Sequence, residues 1–262
     1  MSSDAGRIAA LFRHPVKGFT PERLALADLA PGAFFPCDRI YAVEDGPSGF
    51  DPDAPAFVPK TAFTVLAKLA AVAKARTRYD EQGAILEVEA EGRPPLRACL
   101  AEGAGREAFA AWLTETLGEE ASGPLKVVSA AGHRFTDHPQ GHVSVINLAS
   151  VRELGRRMGR ALDPLRFRAN IHVEGWPAWA ENECIDRELC LGAAKAVVFK
   201  PITRCAATGV DPSTGARDLE VPKALFEHFG HLFCGVYVKV TRGGRIAEGD
   251  VAALPPPAGT AA

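Results

Sequence analysis

The feature that most limits what this chain can fold into is the recurrence of short segments of strand character: "RIAALF", "LALADL", "RIYAVED", "AAVAKARTRY", "AILEVEA", "KVVSA", "HVSVI", "ANIHVEG", "KAVVF" and "GVYVKVT". Their length and pattern read as strands. Turn chemistry separates many of them, at "APGAF", "DEQG", "EGRPP", "DPSTG" and "TRGG". Strands at this density favour a barrel or sandwich core over a doubly wound sheet. The expected fold class is therefore α+β and β-rich.

Three helices interrupt the strands. In "GREAFAAWLTETLG" Phe109, Trp112, Leu113 and Leu117 keep helical spacing, and Gly118 is placed to stop the helix. In "NLASVRELGRRMG" Asn147 can cap while Leu148, Val151, Leu154 and Met158 form an apolar stripe. That leaves Arg152, Arg156 and Arg157 on a solvated face. A shorter helix is expected at "PKALFEHFG", with Pro222 in its first turn. No internal repeat and no glycine-rich phosphate loop is present. "SGPLK" leaves a helix and enters a strand, so the expected division is an N-terminal domain over 1–123, a second domain over 124–253 and a disordered Pro/Ala-rich tail over 254–262.

Lysine and arginine total 30 against 32 aspartate and glutamate, so no charge excess points to nucleic acid or to an anionic membrane. An anionic ligand would have to be met by a local basic cluster. The N-terminus lacks a basic segment followed by an apolar one, and no apolar run reaches membrane-spanning length. The expectation is a cytoplasmic protein with no nucleic-acid and no membrane partner.

The six cysteines (Cys37, Cys99, Cys184, Cys190, Cys205, Cys234) form no C-x-x-C pair and have no histidine at zinc-finger spacing. In a reducing compartment they are expected to be free thiols. No plant-type iron–sulfur run occurs, so redox chemistry would need electrons from another polypeptide. Cys205 differs in context: in "KPITRCAATGVDPSTG" it follows Arg204, lies beyond Lys200 and precedes small residues and an Asp-Pro turn. Cationic neighbours favour the thiolate, the form that ligates metals and attacks electrophiles, whereas most free cysteines are inert and packed as small hydrophobes.

Four local groups stand beside these strands. "RHPVKGF" places Lys17 after a strand where the backbone turns, and "PCDRIYAVED" places Asp38 and Arg39 at a strand mouth. "RFRANIHVEG" places Arg168 and Asn170 on one side of an extended segment, and "TRCAATGVDPSTG" supplies Thr203, Arg204 and Cys205. Each alone is compatible with a solvated charge. Together, as "HPVKG", "DRIYAVED", "FTD", "FRAN" and "TRCAATGVDPSTG", they follow the order and spacing of one family. Over nearly its whole length the chain resembles proteins with an N-terminal MOSC-type β-barrel domain followed by a MOSC domain (molybdenum cofactor sulfurase C-terminal). That family includes the mitochondrial amidoxime-reducing component and its bacterial relatives.

The resemblance implies a MOSC-type β-barrel with a smaller N-terminal β-barrel-like domain. It also implies a molybdenum cofactor, a molybdenum ion on molybdopterin, with Cys205 as the metal ligand and catalytic residue. The cofactor's phosphate and pterin would be met by Lys17, Arg39, Arg168, Asn170 and Arg204. Thr136, Asp137 and Thr203 match positions near the cofactor, and a turn or cap role suits each equally. The implied activity is a molybdenum-dependent oxidoreductase reducing N-hydroxylated, N-oxide or S-oxide small molecules, fed by a separate electron-donor protein, a flavin or iron–sulfur reductase. A non-catalytic cofactor carrier and a sulfur-transfer protein with a Cys205 persulfide are the alternatives. Two departures stand out: Gly18 where the motif often has serine, and His138 and His142 in "FTDHPQGHVSVI", which either shape a substrate pocket or lie on a surface loop.

Overall fold

The structure is a computed structural model that describes residues 5–255. Of the tail expected over 254–262, residues 256–262 lie outside the described residues. The first half of the chain forms β1 (Ala5–Arg13), β2 (Glu22–Leu24), β3 (Leu26–Leu29), β4 (Ala42–Asp45), β5 (Arg76–Asp80), β6 (Ile85–Glu89), β7 (Leu96–Cys99), α1 (Gly103–Leu117) and β8 (Leu125–Val128). The second half forms β9 (Val143–Asn147), α2 (Leu148–Arg157), β10 (Ile171–Glu174), β11 (Glu188–Leu191), β12 (Ala194–Thr203), α3 (Val221–Phe229), β13 (Phe233–Arg242), β14 (Gly244–Ala247) and β15 (Val251–Ala253).

This is a strand-rich α+β fold built on a closed barrel. Strands run in the order β10-β9-β13-β12-β11-β15-β1-β2, and β1 pairs back onto β10, which closes the ring and leaves β2 outside it. Within the ring only β9 and β10 are parallel. Parallel neighbours need a crossover, and α2 supplies it. Side-chain alternation along β9 then decides what packs where. Val143 and Val145 face the interior with Ile8, Leu11, Val173, Val198 and Val236, while Ile146 faces outward beneath α2 and α3 with Leu154 and Leu225.

The helices form where the sequence places them. Asn147 caps α2 by accepting from the Ala149 amide at 3.0 Å. Glu153 pairs with Arg156 and Arg157 on the solvated face. Helix α1 buries Phe109, Trp112, Leu113 and Leu117 in one cluster with Leu86 and Val88 of β6, and ends at Gly118 with φ +54°. Val210, just beyond Cys205, is buried in that same cluster. The Cys205 loop is thus anchored in the core of the N-terminal half.

Several expectations need correction. "AAVAKARTRY" is a 3₁₀ turn over Ala70–Lys74 before the strand begins at Arg76. "RIYAVED" is extended only from Ala42, and Arg39 is left-handed with φ +51°. Arg168 is also left-handed, closing the 3₁₀ turn Pro164–Phe167, so the same-side argument for Arg168 and Asn170 fails. Strand pairing runs across the expected 123/124 division: β1 belongs to the barrel, and β8 returns to pair with β4. The short strands β7, β11, β14 and β15 were not expected, because three or four residues are too few for alternation to register. Among the described residues no helix is long and apolar enough to cross a membrane.

Candidate functional site at Cys205

Lys17, Arg39, Thr136, Asp137, Arg168, Asn170, Thr203, Arg204 and Cys205 all border one cleft of about 330 Å³. Five segments supply them: the turn after β1 (Lys17), the stretch before β4 (Arg39), the loop between β8 and β9 (Thr136, Asp137), the 3₁₀ turn before β10 (Arg168, Asn170) and the end of β12 (Thr203, Arg204, Cys205). Lys60, Lys200, His138 and Tyr237 complete much of its wall.

The Lys17 side chain is buried; its ammonium donates to the Phe135 carbonyl at 2.8 Å and pairs with Asp137. Burial pulls the Lys17 pKa down, with Asp137 acting against it. Burial works to raise the Asp137 pKa, but the charges of Lys17, Lys60 and Arg39 outweigh it and hold the carboxyl well below the usual range. Arg39 pairs with buried Asp38 and donates from Nη2 to the Arg168 carbonyl at 3.1 Å. Asp38 also accepts from the His14 amide at 2.7 Å. His14 itself is fully buried, and its pKa is pushed down to about 3 by burial and by Arg168 and Arg39.

Arg168 is the exception in this network. No protein atom accepts from its guanidinium among the described residues, and Nη2 is buried without a partner. Burial and the Arg39 charge push its pKa down to about 9. A buried cationic donor without an acceptor is costly, and an anion beside it would remove that cost.

Three of the sequence-chosen residues are instead occupied in holding the wall. Arg204 donates to the Cys234 carbonyl at 2.7 Å from Nε and to the Phe167 carbonyl at 2.8 Å from Nη1. Asn170 Oδ1 accepts from the Ser144 amide and hydroxyl, and its Nδ2 donates to the Phe12 carbonyl, tying β9, β10 and β1 together. Thr136 donates to the His138 carbonyl in a local turn. Thr203 is exposed at the end of β12. His138 lines the cleft near Phe199 and Tyr237, whereas His142 stacks on Phe34 at 4.5 Å and is not part of the wall.

Cys205 begins the 3₁₀ turn Ala206–Gly209, and its carbonyl accepts from the Thr208 amide and hydroxyl. Its sulfur lies 3.2 Å from the Lys60 ammonium. Burial acts to lower the Lys60 pKa, but Asp137 and Cys205 more than offset it and the value is raised. Lys60 was not singled out from the sequence. It sits in "FVPKTAF" after a Pro-rich stretch, 145 residues from Cys205, with no local pattern to mark it.

The "DPSTG" turn has a role one layer back. Asp211 Oδ1 accepts from the Ser213 and Thr214 amides, closing its own turn. Its Oδ2 accepts from buried Arg166 at 3.1 Å, and the same guanidinium grips Asp218 at 2.8 and 3.0 Å. Arg166 belongs to the turn that ends in Arg168. One buried fork therefore ties the Cys205 loop to the segment carrying the unpaired cation.

The profile of the MOSC domain matches residues 132–253, and that of the MOSC N-terminal beta barrel domain matches residues 5–122. The chain belongs to the MOSC family. Mitochondrial amidoxime-reducing component 1 of Mus musculus is 33% identical over 78 residues, which is 30% of this chain and 22% of that protein. The chain therefore matches less than a quarter of that relative's length. Among solved structures, the YUAD protein from Bacillus subtilis is 14% identical with a TM-score of 0.47, covering 96% of this chain and 97% of that one. YiiM from Geobacillus stearothermophilus is 21% identical with a TM-score of 0.35, covering 44% of this chain and 54% of that one.

Gly18 is where this MOSC chain departs from the serine-bearing motif, and its backbone shows why. It has φ +91°, and a Cβ built there would lie 2.3 Å from the Thr64 carbonyl oxygen. Gly18→Ser is accordingly expected to lower stability by roughly 2–4 kcal/mol. A denaturant melt checks this, and an unchanged midpoint would refute the strain argument.

Proposed function

We propose that the cleft binds a molybdenum cofactor and that the protein is a molybdenum-dependent oxidoreductase acting on N-hydroxylated, N-oxide or S-oxide small molecules. The observation that carries this reading is Arg168: a half-buried arginine whose buried Nη2 has no acceptor among the described residues, bordering the same cleft as a half-buried cysteine. The donor set fits the group. A pterin phosphate is an anion for Arg168, Lys17 and Arg39, and the thiolate of Cys205 is a soft donor for a sulfur-rich metal centre. Among the described residues no three His, Cys, Asp or Glu side chains cluster to hold a metal by themselves, so the remaining ligands would be the cofactor's own.

When bound, the cofactor would supply two-electron redox chemistry at the metal. The chain's own contribution is positional. Arg168 and Lys17 would hold the anionic end, the Arg166 fork ties the loop that follows Cys205 to the segment carrying Arg168, and Lys60 donates to the sulfur. Removing oxygen from an N–O bond consumes two electrons and two protons and releases water. The chain has no iron–sulfur cysteine run, so those electrons are assigned to a separate flavin or iron–sulfur reductase.

Molybdenum and pterin analysis of purified protein tests the reading, with Arg168→Gln as the probe. The expected result is stoichiometric molybdenum in the wild type and a loss of about tenfold in retained pterin in the variant, as loss of a buried charge-assisted contact predicts. Molybdenum without turnover on a panel of N-oxides and N-hydroxy compounds, under a strong chemical reductant, would favour a cofactor carrier. Absence of both metal and pterin from the wild type would end the proposal.

A further inference from the structure

The cations that border the cleft are answered to different degrees, and the differences sort them by task. Lys17 is buried and spends its ammonium on the Phe135 carbonyl and on Asp137. Arg39 is paired with Asp38 and bonded to the Arg168 carbonyl, and Arg204 is spent on carbonyls. Lys60 is unlike them. Its side chain is 32% exposed, and its ammonium stands 3.2 Å from the Cys205 sulfur and 3.5 Å from Asp137 Oδ2. An ammonium has three donors, so these two contacts leave one open.

The fold fixes this placement from two sides. Lys60 opens the 3₁₀ turn Lys60–Ala62, after which Phe63 is buried and the Thr64 amide donates to the Val43 carbonyl of β4 at 2.9 Å. From the other side Arg217, just past the "DPSTG" turn, donates to the Leu66 and Ala67 carbonyls at 2.8 and 3.0 Å. The segment of Lys60 and the loop of Cys205 are thus fastened together although the two residues lie 145 positions apart. A flexible lysine stem on a fixed base leaves the ammonium free to turn toward an arriving acceptor without leaving the sulfur's neighbourhood.

We infer that Lys60 receives the oxygen of the substrate, and that it favours dipolar N-oxides and S-oxides, whose oxygen carries formal negative charge, over N-hydroxylated compounds, whose oxygen is neutral. The inference rests on the reading of Cys205 as metal ligand and names the substrate class within it. A hydrogen bond from a cation to a negatively charged oxygen is roughly twice as strong as one between neutral groups, so the preference follows from the charge of Lys60. Reduction of an N-oxide takes up two electrons and two protons, breaks the N–O bond and releases the amine and water; an S-oxide gives the sulfide in the same way. The electrons come from the separate reductase, or from dithionite in an assay. The part of Lys60 is to hold the oxygen beside Cys205.

Two measurements on the full-length chain test this. The first needs no metal: Cys205 of protein produced without molybdenum is labelled with iodoacetate and with iodoacetamide, reagents of nearly equal size that differ in charge, and read by peptide mass spectrometry. The thiolate fraction enters both rates alike and cancels in their ratio. Lys60→Met is expected to lower the iodoacetate-to-iodoacetamide ratio about fivefold, and Lys60→Arg to keep it within about twofold. Lys239→Met removes an exposed cation of β13 outside the cleft lining and should leave the ratio unchanged. The second measurement uses molybdenum-loaded protein with dithionite and two substrates that share a phenyl body, N,N-dimethylaniline N-oxide and N-phenylhydroxylamine, with rates expressed per bound molybdenum. Lys60→Met should raise KM for the N-oxide about tenfold and that for the hydroxylamine less than about threefold, and Lys60→Arg should restore the difference. An unchanged labelling ratio in Lys60→Met overturns the placement of the cation, and equal losses for the two substrates overturn the substrate class. Wild-type protein without molybdenum would end the oxidoreductase reading and the substrate class with it; the labelling ratio, read without metal, distinguishes that outcome from a failure of Lys60.

Discussion

Cys205→Ser is expected to lower molybdenum content by about tenfold or more and to abolish turnover, because a hydroxyl is a hard, weakly acidic donor where a soft thiolate is required. The fold should survive. Cys205 is only half-buried, serine keeps nearly the same shape, and the Lys60 ammonium at 3.2 Å can donate to an oxygen as well as to sulfur. Some pterin should remain, since Lys17, Arg39 and Arg168 are untouched. The matched control is Cys234→Ala. Cys234 is fully buried beneath Arg204, but its contact with Arg204 is through the backbone carbonyl, which alanine keeps. It should cost about 1–2 kcal/mol by lost packing and leave metal content unchanged. Metal analysis together with thermal melts checks both variants. Wild-type molybdenum in Cys205→Ser would remove Cys205 from the ligand set.

Mild acid is expected to destabilise the protein by about 4 kcal/mol between pH 7.5 and pH 5, through two buried histidines. His14 and His172 are nearly inaccessible, and each has an Nε2 with no partner. Burial, with Arg168 and Arg39 behind it, pushes His14 down to about 3; burial, with Arg23, pushes His172 down to about 4. The unfolded chain takes up these protons near the ordinary histidine value and the folded chain does not. Stability is therefore present above about pH 6.5 and is lost as pH falls toward the folded values, at about 2 kcal/mol for each histidine by pH 5. Glu181 acts the other way. Burial raises its pKa despite bonds from Asn147 and Ser150, so the folded state gains relative stability when that carboxyl is protonated. Urea melts at the two pH values measure the sum. His172→Phe should remove about half of the pH dependence, and equal stability at both pH values would show that the buried rings are protonated in the fold.

What was legible in the sequence was whatever local pattern encodes. Alternation marked β9, β10, β12 and β13, the Asn147 cap marked α2, and the apolar spacing of Phe109, Trp112, Leu113 and Leu117 marked α1. The order of the "PVK", "DR", "FTD", "FRAN" and "TRCAATGVDPSTG" motifs, read through the family resemblance, chose nine residues that border the cleft, although their contacts were not readable. Tertiary structure decided the rest. Pairing of β1 with β10 across more than half the chain closes the barrel and carries Lys17 to Phe135 and Asp137. The left-handed turn at Arg168 replaced an expected strand because Arg166 is drawn back to Asp211 and Asp218. Arg204 looked like a free cation in sequence and is spent on carbonyls, while Lys60 carried no signal and stands beside the sulfur. Local geometry follows from the backbone and near neighbours, which the sequence spells out. Whether a charge is answered or left open depends on which distant atoms packing brings within about 3 Å, and only the closed barrel settles that.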